Sequence, residues 1–134
     1  MTRRRAIAGA LAAAAALAAP AASGAAGSGD GPLDVRGTAV GVSEREFRIS
    51  PYRRTVPTGT LKFNVRNFGE DVHDLVLVSP RGRKLGSTGA IAAGEQGVLR
   101  IKIKTPGVYR LVCTQADHAA RGMKSRIAVR ATRR

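Results

Sequence analysis

The sequence predicts an all-β domain, an antiparallel β-sandwich of about seven to eight short strands. From residue 33 onward, short runs alternate apolar and polar residues, which is the period of a strand with one buried face. Glycine, proline and asparagine separate these runs, and no window shows a sustained helical period. A chain of 134 residues is long enough for one compact domain and too short for two of ordinary size.

Seven runs carry the strand signal. In chain order they are 35–42, 46–50, 60–67, 73–78, 97–104, 108–113 and 125–131. The residues that alternation predicts to face the core in four of these runs are Phe47, Ile49, Leu61, Phe63, Val65, Leu99, Ile101, Ile103, Ile127 and Val129. The polar, glycine-rich segment 82–96 is predicted to be a long connection without strands.

The amino-terminal segment is predicted to be a secretory signal peptide that covers residues 1–26. Three arginines precede an uncharged apolar run at 6–19, and small residues follow it. That run is short for a membrane-spanning helix, which needs about 20 apolar residues, so cleavage is favoured over retention as an anchor. Residues 27–32 then form a flexible linker, and the sandwich occupies 33–134. We expect export to the periplasm, the cell surface or the medium by a Sec or twin-arginine route.

The chain is strongly basic, with a formal net charge of +14. The predicted signal peptide holds three arginines and no acidic residue, so its removal leaves +11. This excess favours an acidic partner protein, or an anionic membrane or cell-wall surface, although it also serves solubility. Nucleic acid is disfavoured because the protein is predicted to be exported and only 4% of its residues are aromatic. We expect a monomer.

The chemistry-bearing residues are few and are concentrated near the carboxyl terminus. The chain has one cysteine, Cys113, followed by His118 and then Met123 at intervals of five residues. Tyr109 and Leu111 share a strand face with Cys113, so the thiol is predicted to point into the core. One loop between two predicted strands thus presents a thiol, an imidazole and a thioether.

The second histidine, His73, lies 40 residues upstream of the cysteine. It shares a predicted strand face with Leu75 and Leu77, so its ring is also predicted to point inward. Two imidazoles and a thiolate in a trigonal arrangement, with a weak axial thioether, suit copper that cycles between its two oxidation states. The predicted ligands of one copper ion are therefore His73, Cys113, His118 and Met123.

Other interpretations of these residues are open at this point. Cys113 is also compatible with an ordinary buried thiol, and the two histidines with a core residue and a solvated loop residue. A catalytic zinc site is disfavoured because a thioether is a poor zinc ligand. A cysteine–histidine nucleophile pair is disfavoured because no conspicuous oxyanion loop lies nearby. We therefore expect no enzymatic activity.

Two segments resemble those of a known family. The segment 106–113, with His118 and Gly122-Met123, resembles the carboxy-terminal copper loop of the cupredoxins, the small blue copper proteins. The segment 67–74 resembles the family's upstream ligand segment, in which Asn-x-Gly precedes the histidine. The resemblance implies a Greek-key sandwich, one type 1 copper ion and single-electron transfer between redox partners. A copper-delivery module without an electron-carrier role is the alternative, disfavoured by the lack of clustered Met or His.

The same resemblance bears on three positions in the chain. Electrons would leave through an exposed edge of His118, near the basic residues Arg121 and Lys124. Many relatives have Asn directly after the upstream histidine, where this chain has Asp74, and the oxygens of Asp74 can still tie the two ligand loops together. Val112 stands where several relatives have an aromatic residue.

Overall fold

The computed structural model describes residues 37–132, which form two β-sheets that enclose one core. The nine strands are β1 (Gly37–Arg45), β2 (Arg48–Pro51), β3 (Thr55–Pro57), β4 (Gly59–Asn67), β5 (Val76–Val78), β6 (Lys84–Ser87), β7 (Gln96–Ile103), β8 (Gly107–Val112) and β9 (Lys124–Arg130). One sheet has the order β2-β1-β4-β7 and the other β3-β9-β8-β5-β6. The predicted all-β sandwich is confirmed. The predicted signal peptide and linker lie outside the described residues.

The strand pairing is mixed rather than wholly antiparallel. Strands β1 and β4 pair in parallel, as do β3 and β9, and the other pairs are antiparallel. Two strands were not predicted, β3 and β6, and each is an edge strand of only three or four residues. Strand β6 lies inside the segment that was predicted to be a long connection. Edge strands this short contain too few alternating apolar and polar residues to be predicted from sequence.

The core is built from alternate positions of both sheets. Of the residues predicted to face it, eight are buried: Ile49, Leu61, Phe63, Val65, Leu99, Ile103, Ile127 and Val129. Ile101 is half-buried and packs on the edge of the core. Phe47 is likewise half-buried and packs against the core, but it lies in the turn between β1 and β2, with a φ of 60°, rather than in a strand. Residues 37–132 contain no helix long and apolar enough to cross a membrane.

Candidate metal site

The loop between β8 and β9 brings three of the four predicted ligands to one end of the sandwich. Cys113 directly follows β8 and Met123 directly precedes β9. The two strands pair antiparallel as far as Val112 and Lys124, so the two ends of the loop meet. The Cys113 amide donates to the Met123 carbonyl at 3.1 Å, and the Met123 amide donates to the His118 carbonyl at 2.9 Å.

His73 reaches the same end through the neighbouring strand. Strand β5 pairs antiparallel with β8, with Val76 opposite Val112, so the segment before β5 lies beside the segment after β8. The predicted strand 73–78 begins only at Val76, and His73 forms an isolated antiparallel bridge with Ile91 instead. His73 therefore lies outside the β5 ladder, in the irregular segment that precedes it.

Asp74 fastens the two ligand segments to each other. One carboxylate oxygen accepts a hydrogen bond from the Thr114 amide and the other from the Thr114 hydroxyl, both at 2.5 Å. Asp74 follows His73 in sequence and Thr114 follows Cys113, so this pair fixes the spacing of both ligands. The expectation that Asp74 ties the loops is confirmed.

Three of the predicted ligand atoms form a small buried triangle. The Nδ1 atoms of His73 and His118 lie 3.2 Å apart, and the Cys113 Sγ lies 4.0 Å from the first and 3.7 Å from the second. His73 and Cys113 have no exposed surface, and His118 is 6% exposed. Donor atoms that share a first-row metal ion in a trigonal plane, with bonds of about 2.0–2.3 Å, lie about 3.5–3.8 Å apart. The residues therefore fit a trigonal metal ion with a nitrogen–nitrogen–sulfur donor set.

Burial favours a neutral imidazole on His73, which can bind a metal ion, and disfavours an unpaired thiolate on Cys113. Burial, reinforced by the charge of His118, lowers the pKa of His73, so its ring stays neutral. Burial raises the pKa of the Cys113 thiol. A buried thiolate needs a cation beside it, because ionisation without a partner is costly in an apolar site. The pair of shifts suits a site that exchanges the thiol proton for a metal ion.

Met123 is fully buried and belongs to the core cluster at the base of the loop. Its backbone is hydrogen-bonded to the backbones of both Cys113 and His118. Its role as a ligand stays a prediction.

Two acidic residues also face the histidines, and sequence reasoning did not find them. Glu46 lies in the β1–β2 turn, and its Oε1 is 3.4 Å from the His73 Nε2. Asp71 places its Oδ2 3.6 Å from the His118 Nε2. Each imidazole thus has one nitrogen in the triangle and the other towards a carboxylate. The turn that positions Glu46 consists of Glu46 and Phe47, and neither residue type favours a two-residue hairpin turn, so the local sequence carried no signal for it.

The ring of His118 is mostly covered, and 6% of the residue is exposed. Phe47 packs edge-on against it, with ring centroids 5.4 Å apart. The Arg121 guanidinium lies over the Phe47 ring at 3.7 Å from its centroid. The surface around this part of His118 therefore consists mostly of the residues that pack over it. A bulky residue at positive φ is disfavoured in isolation, so propensity did not predict Phe47 in this turn.

Comparison with solved structures identifies the architecture. An auracyanin from Roseiflexus castenholzii matches with a TM-score of 0.62 and 21% identity, over 69% of this chain and 97% of that chain. Auracyanin A from Chloroflexus aurantiacus, a "blue" copper protein, matches with a TM-score of 0.58 and 11% identity, over 70% and 99%. A purple cupredoxin from Nitrosopumilus maritimus matches with a TM-score of 0.50 and 17% identity, over 69% and 99%.

No protein-family model matches the sequence. No curated protein matches it either. The likeness therefore rests on the backbone, which follows these proteins over nearly their whole length, with a His-Cys-His cluster at one end of the sandwich. The chain has the cupredoxin fold.

Proposed function

We propose that this chain is an exported type 1 copper protein that binds one copper ion and carries single electrons between redox partner proteins. The observation that carries the proposal is the convergence of His73 Nδ1, His118 Nδ1 and Cys113 Sγ within 4.8 Å of one another. Thiolate and imidazole are the donors that copper accepts in both of its oxidation states. The function proposed is electron carriage, without catalysis.

Each residue has a defined part in this proposal. The two imidazoles would bind copper through Nδ1, the Cys113 thiolate would supply the strong sulfur donor, and the Met123 thioether would supply a weak one. Copper, when bound, supplies a one-electron couple between its cupric and cuprous states. Asp74 and Thr114 hold the ligand segments at fixed spacing, so that little rearrangement accompanies a change of charge.

Burial of the ligands supports electron carriage over copper delivery. A delivery protein must pass its ion to an acceptor's ligands, whereas His73 and Cys113 here have no exposed surface. Among the structural neighbours, an auracyanin was solved in its dithionite-reduced form, which accords with a redox role for this fold. Electrons are expected to pass between His118 and a partner protein near Phe47, which packs on the His118 ring, and Arg121, which packs on Phe47.

The partner and location follow from charge and from the amino terminus. The pattern of residues 1–26 supports export, and the excess of basic residues in the remainder supports an acidic redox partner or an anionic surface. The protein is proposed to act as a monomer.

Voltammetry of the protein without residues 1–26, loaded with one copper ion, tests this function. Electron carriage predicts a reversible one-electron wave, with the ion retained over repeated cycles. Loss of copper on reduction, seen as a wave that decays with cycling, would support copper delivery and overturn electron carriage.

A further inference from the structure

The β1–β2 turn places a carboxylate beside the upstream histidine. The His73 side chain has no exposed surface, and its Nε2 has no well-aligned hydrogen-bond partner among the described residues. The Glu46 Oε1 lies 3.4 Å from that nitrogen. This contact is electrostatic rather than a well-formed hydrogen bond, because its distance is long and its alignment is poor.

The Glu46 carboxylate is held in place by the segment that leads to His73. Its Oε1 accepts hydrogen bonds from the Glu70 amide at 2.6 Å and from the Asp71 amide at 3.0 Å. Gly69 lies against the same carboxylate so closely that a Cβ at this position would collide with it. Backbone N–H donors aimed at one carboxylate oxygen favour the charged form of Glu46 and fix the position of that oxygen.

We propose that Glu46 is a positioning residue for the metal site: it holds the proton of His73 on Nε2, leaves Nδ1 free to bind copper, and lowers the reduction potential. The inference rests on the proposed function. A fixed negative charge stabilises the cupric state, which carries one more positive charge than the cuprous state. A carboxylate behind a metal-bound imidazole also makes that imidazole a stronger donor.

Asp71 offers a matched contrast on the other histidine. Its Oδ2 lies 3.6 Å from the His118 Nε2, but its side chain is 55% exposed, compared with 35% for Glu46. Water screens an exposed charge more strongly. Asp71 is therefore expected to influence the potential less than Glu46, although the two carboxylates lie at similar distances from their histidines.

The test compares Glu46→Gln and Asp71→Asn with the wild-type copper protein. Glutamine keeps an oxygen for the Glu70 and Asp71 amides, so only the charge is lost. We expect Glu46→Gln to shift the redox equilibrium about tenfold towards the cuprous state, a rise of 59 mV for a one-electron couple. Asp71→Asn should shift the equilibrium by about threefold or less. In the diamagnetic cuprous protein, the NMR signal of the His73 Nε2 proton should move and exchange faster with water in Glu46→Gln.

Gly69→Ala provides a second route if the first variant folds poorly. Its methyl group displaces the carboxylate without removing a charge from the chain, and Gly69 does not have the positive φ that would strain alanine. The potential should rise in this variant as well. A coloured wild-type protein whose potential is unmoved by both Glu46→Gln and Gly69→Ala would overturn the inference. An equal rise in Asp71→Asn would also overturn it, since that result indicates general charge rather than position. A colourless wild-type protein would instead overturn the proposed function, on which the inference depends.

Discussion

At the scale of single residues, the side chains proposed to bind the metal are almost completely buried. His73, Cys113 and Met123 have no exposed surface, although imidazole and thiol groups both carry polar atoms. Burying such atoms costs free energy unless hydrogen bonds or a bound ion satisfy them. His73 and Cys113 therefore fit a metal site better than an ordinary apolar core, whereas burial alone does not distinguish the two for Met123.

Met123→Leu tests the axial role of the thioether. Leucine fills a similar volume, so the sandwich should keep its stability to within about 1.5 kcal/mol. The colour of the cupric protein should persist, and the reduction potential should rise, because an apolar group disfavours the more highly charged oxidised ion. Voltammetry measures the potential, and a value equal to that of the wild-type protein would show that Met123 is not at the metal.

Glu44 is a buried carboxyl group that the metal site does not use. It has no exposed surface, and neither oxygen has a hydrogen-bond partner among the described residues. Burial, with a smaller contribution from the charge of Asp74, raises its pKa from 4.5 to about 7. Because the folded-state pKa exceeds the unfolded value, the folded protein holds this proton more tightly and loses stability as pH rises between the two values.

Glu44→Gln should remove this pH dependence. Between pH 5 and pH 8, wild-type Glu44 costs roughly 2–3 kcal/mol of stability that a neutral amide does not cost. The variant should therefore gain about that much relative to wild type as pH rises, measured by denaturant unfolding of the two metal-free proteins. Comparison of the two proteins cancels the titration of His73, which they share. A stability difference that stays constant from pH 5 to pH 8 would show that Glu44 titrates normally.

At the scale of elements, the long strands and the ligand loop were predictable and the irregular segments were not. Alternation predicted β4, β7, β8 and β9 because each has one buried face. The parallel pairing of β1 with β4 depends on chain topology, which alternation does not encode. His73 was placed in a strand because its parity matches Leu75 and Leu77, yet the ladder begins only at Val76.

The hairpin turn shows most clearly what sequence reasoning missed at the site. Residues 46–50 were predicted as one strand, whereas the chain turns at Glu46 and Phe47 and directs both side chains to the two histidines. The contacts involve residues about 25 to 70 positions apart, so no local pattern reports them. The ligand loop was predictable because its spacing is contained within 11 residues, 113–123.

Asp74→Ala tests the tie between the two ligand segments. The change leaves the Thr114 amide without its partner, at a cost of about 1–3 kcal/mol of stability. The ligand spacing should loosen, so copper affinity should fall together with stability. Asp74→Asn is the control, because its amide oxygen can still accept from the Thr114 amide and should preserve most of both quantities. Copper titration and denaturant unfolding measure the two effects, and an Asp74→Ala protein with wild-type affinity would contradict this role.

On the scale of the whole molecule, several basic residues lie at the end of the sandwich that carries the His-Cys-His cluster, beside the acidic residues Glu46 and Asp71. Arg121 covers Phe47, and Arg45 and Arg66 each lie 5.4 Å from the ring of Phe68, which is 44% exposed. These residues present cations next to exposed aromatic surface, which suits a transient contact with an acidic partner. The opposite end of the sandwich is also basic, with Lys104 near the turn that precedes β8. An experiment therefore has to separate the effect of where a positive charge lies from the effect of the total charge.

Electron transfer with small charged reagents tests this distribution. Oxidation of the cuprous protein by an anionic metal complex should slow steeply as salt rises, and oxidation by a cationic complex should not. Arg121→Glu should slow the anionic reaction several-fold, while Lys104→Glu, which makes the same change of charge at the far end, should slow it less. Stopped-flow rates provide the measurement. Equal effects of the two variants would show that overall charge, rather than a basic metal end, governs the encounter.

Cys113 and the two histidines are proposed to bind copper together, and the optical spectrum of the protein with one equivalent of cupric ion shows whether they do. Charge transfer from the Cys113 sulfur to copper should give an intense visible band, and Cys113→Ser should abolish the band while the sandwich still folds. A wild-type protein that binds cupric ion tightly but stays colourless, or a Cys113→Ser protein that keeps the colour, would contradict the account.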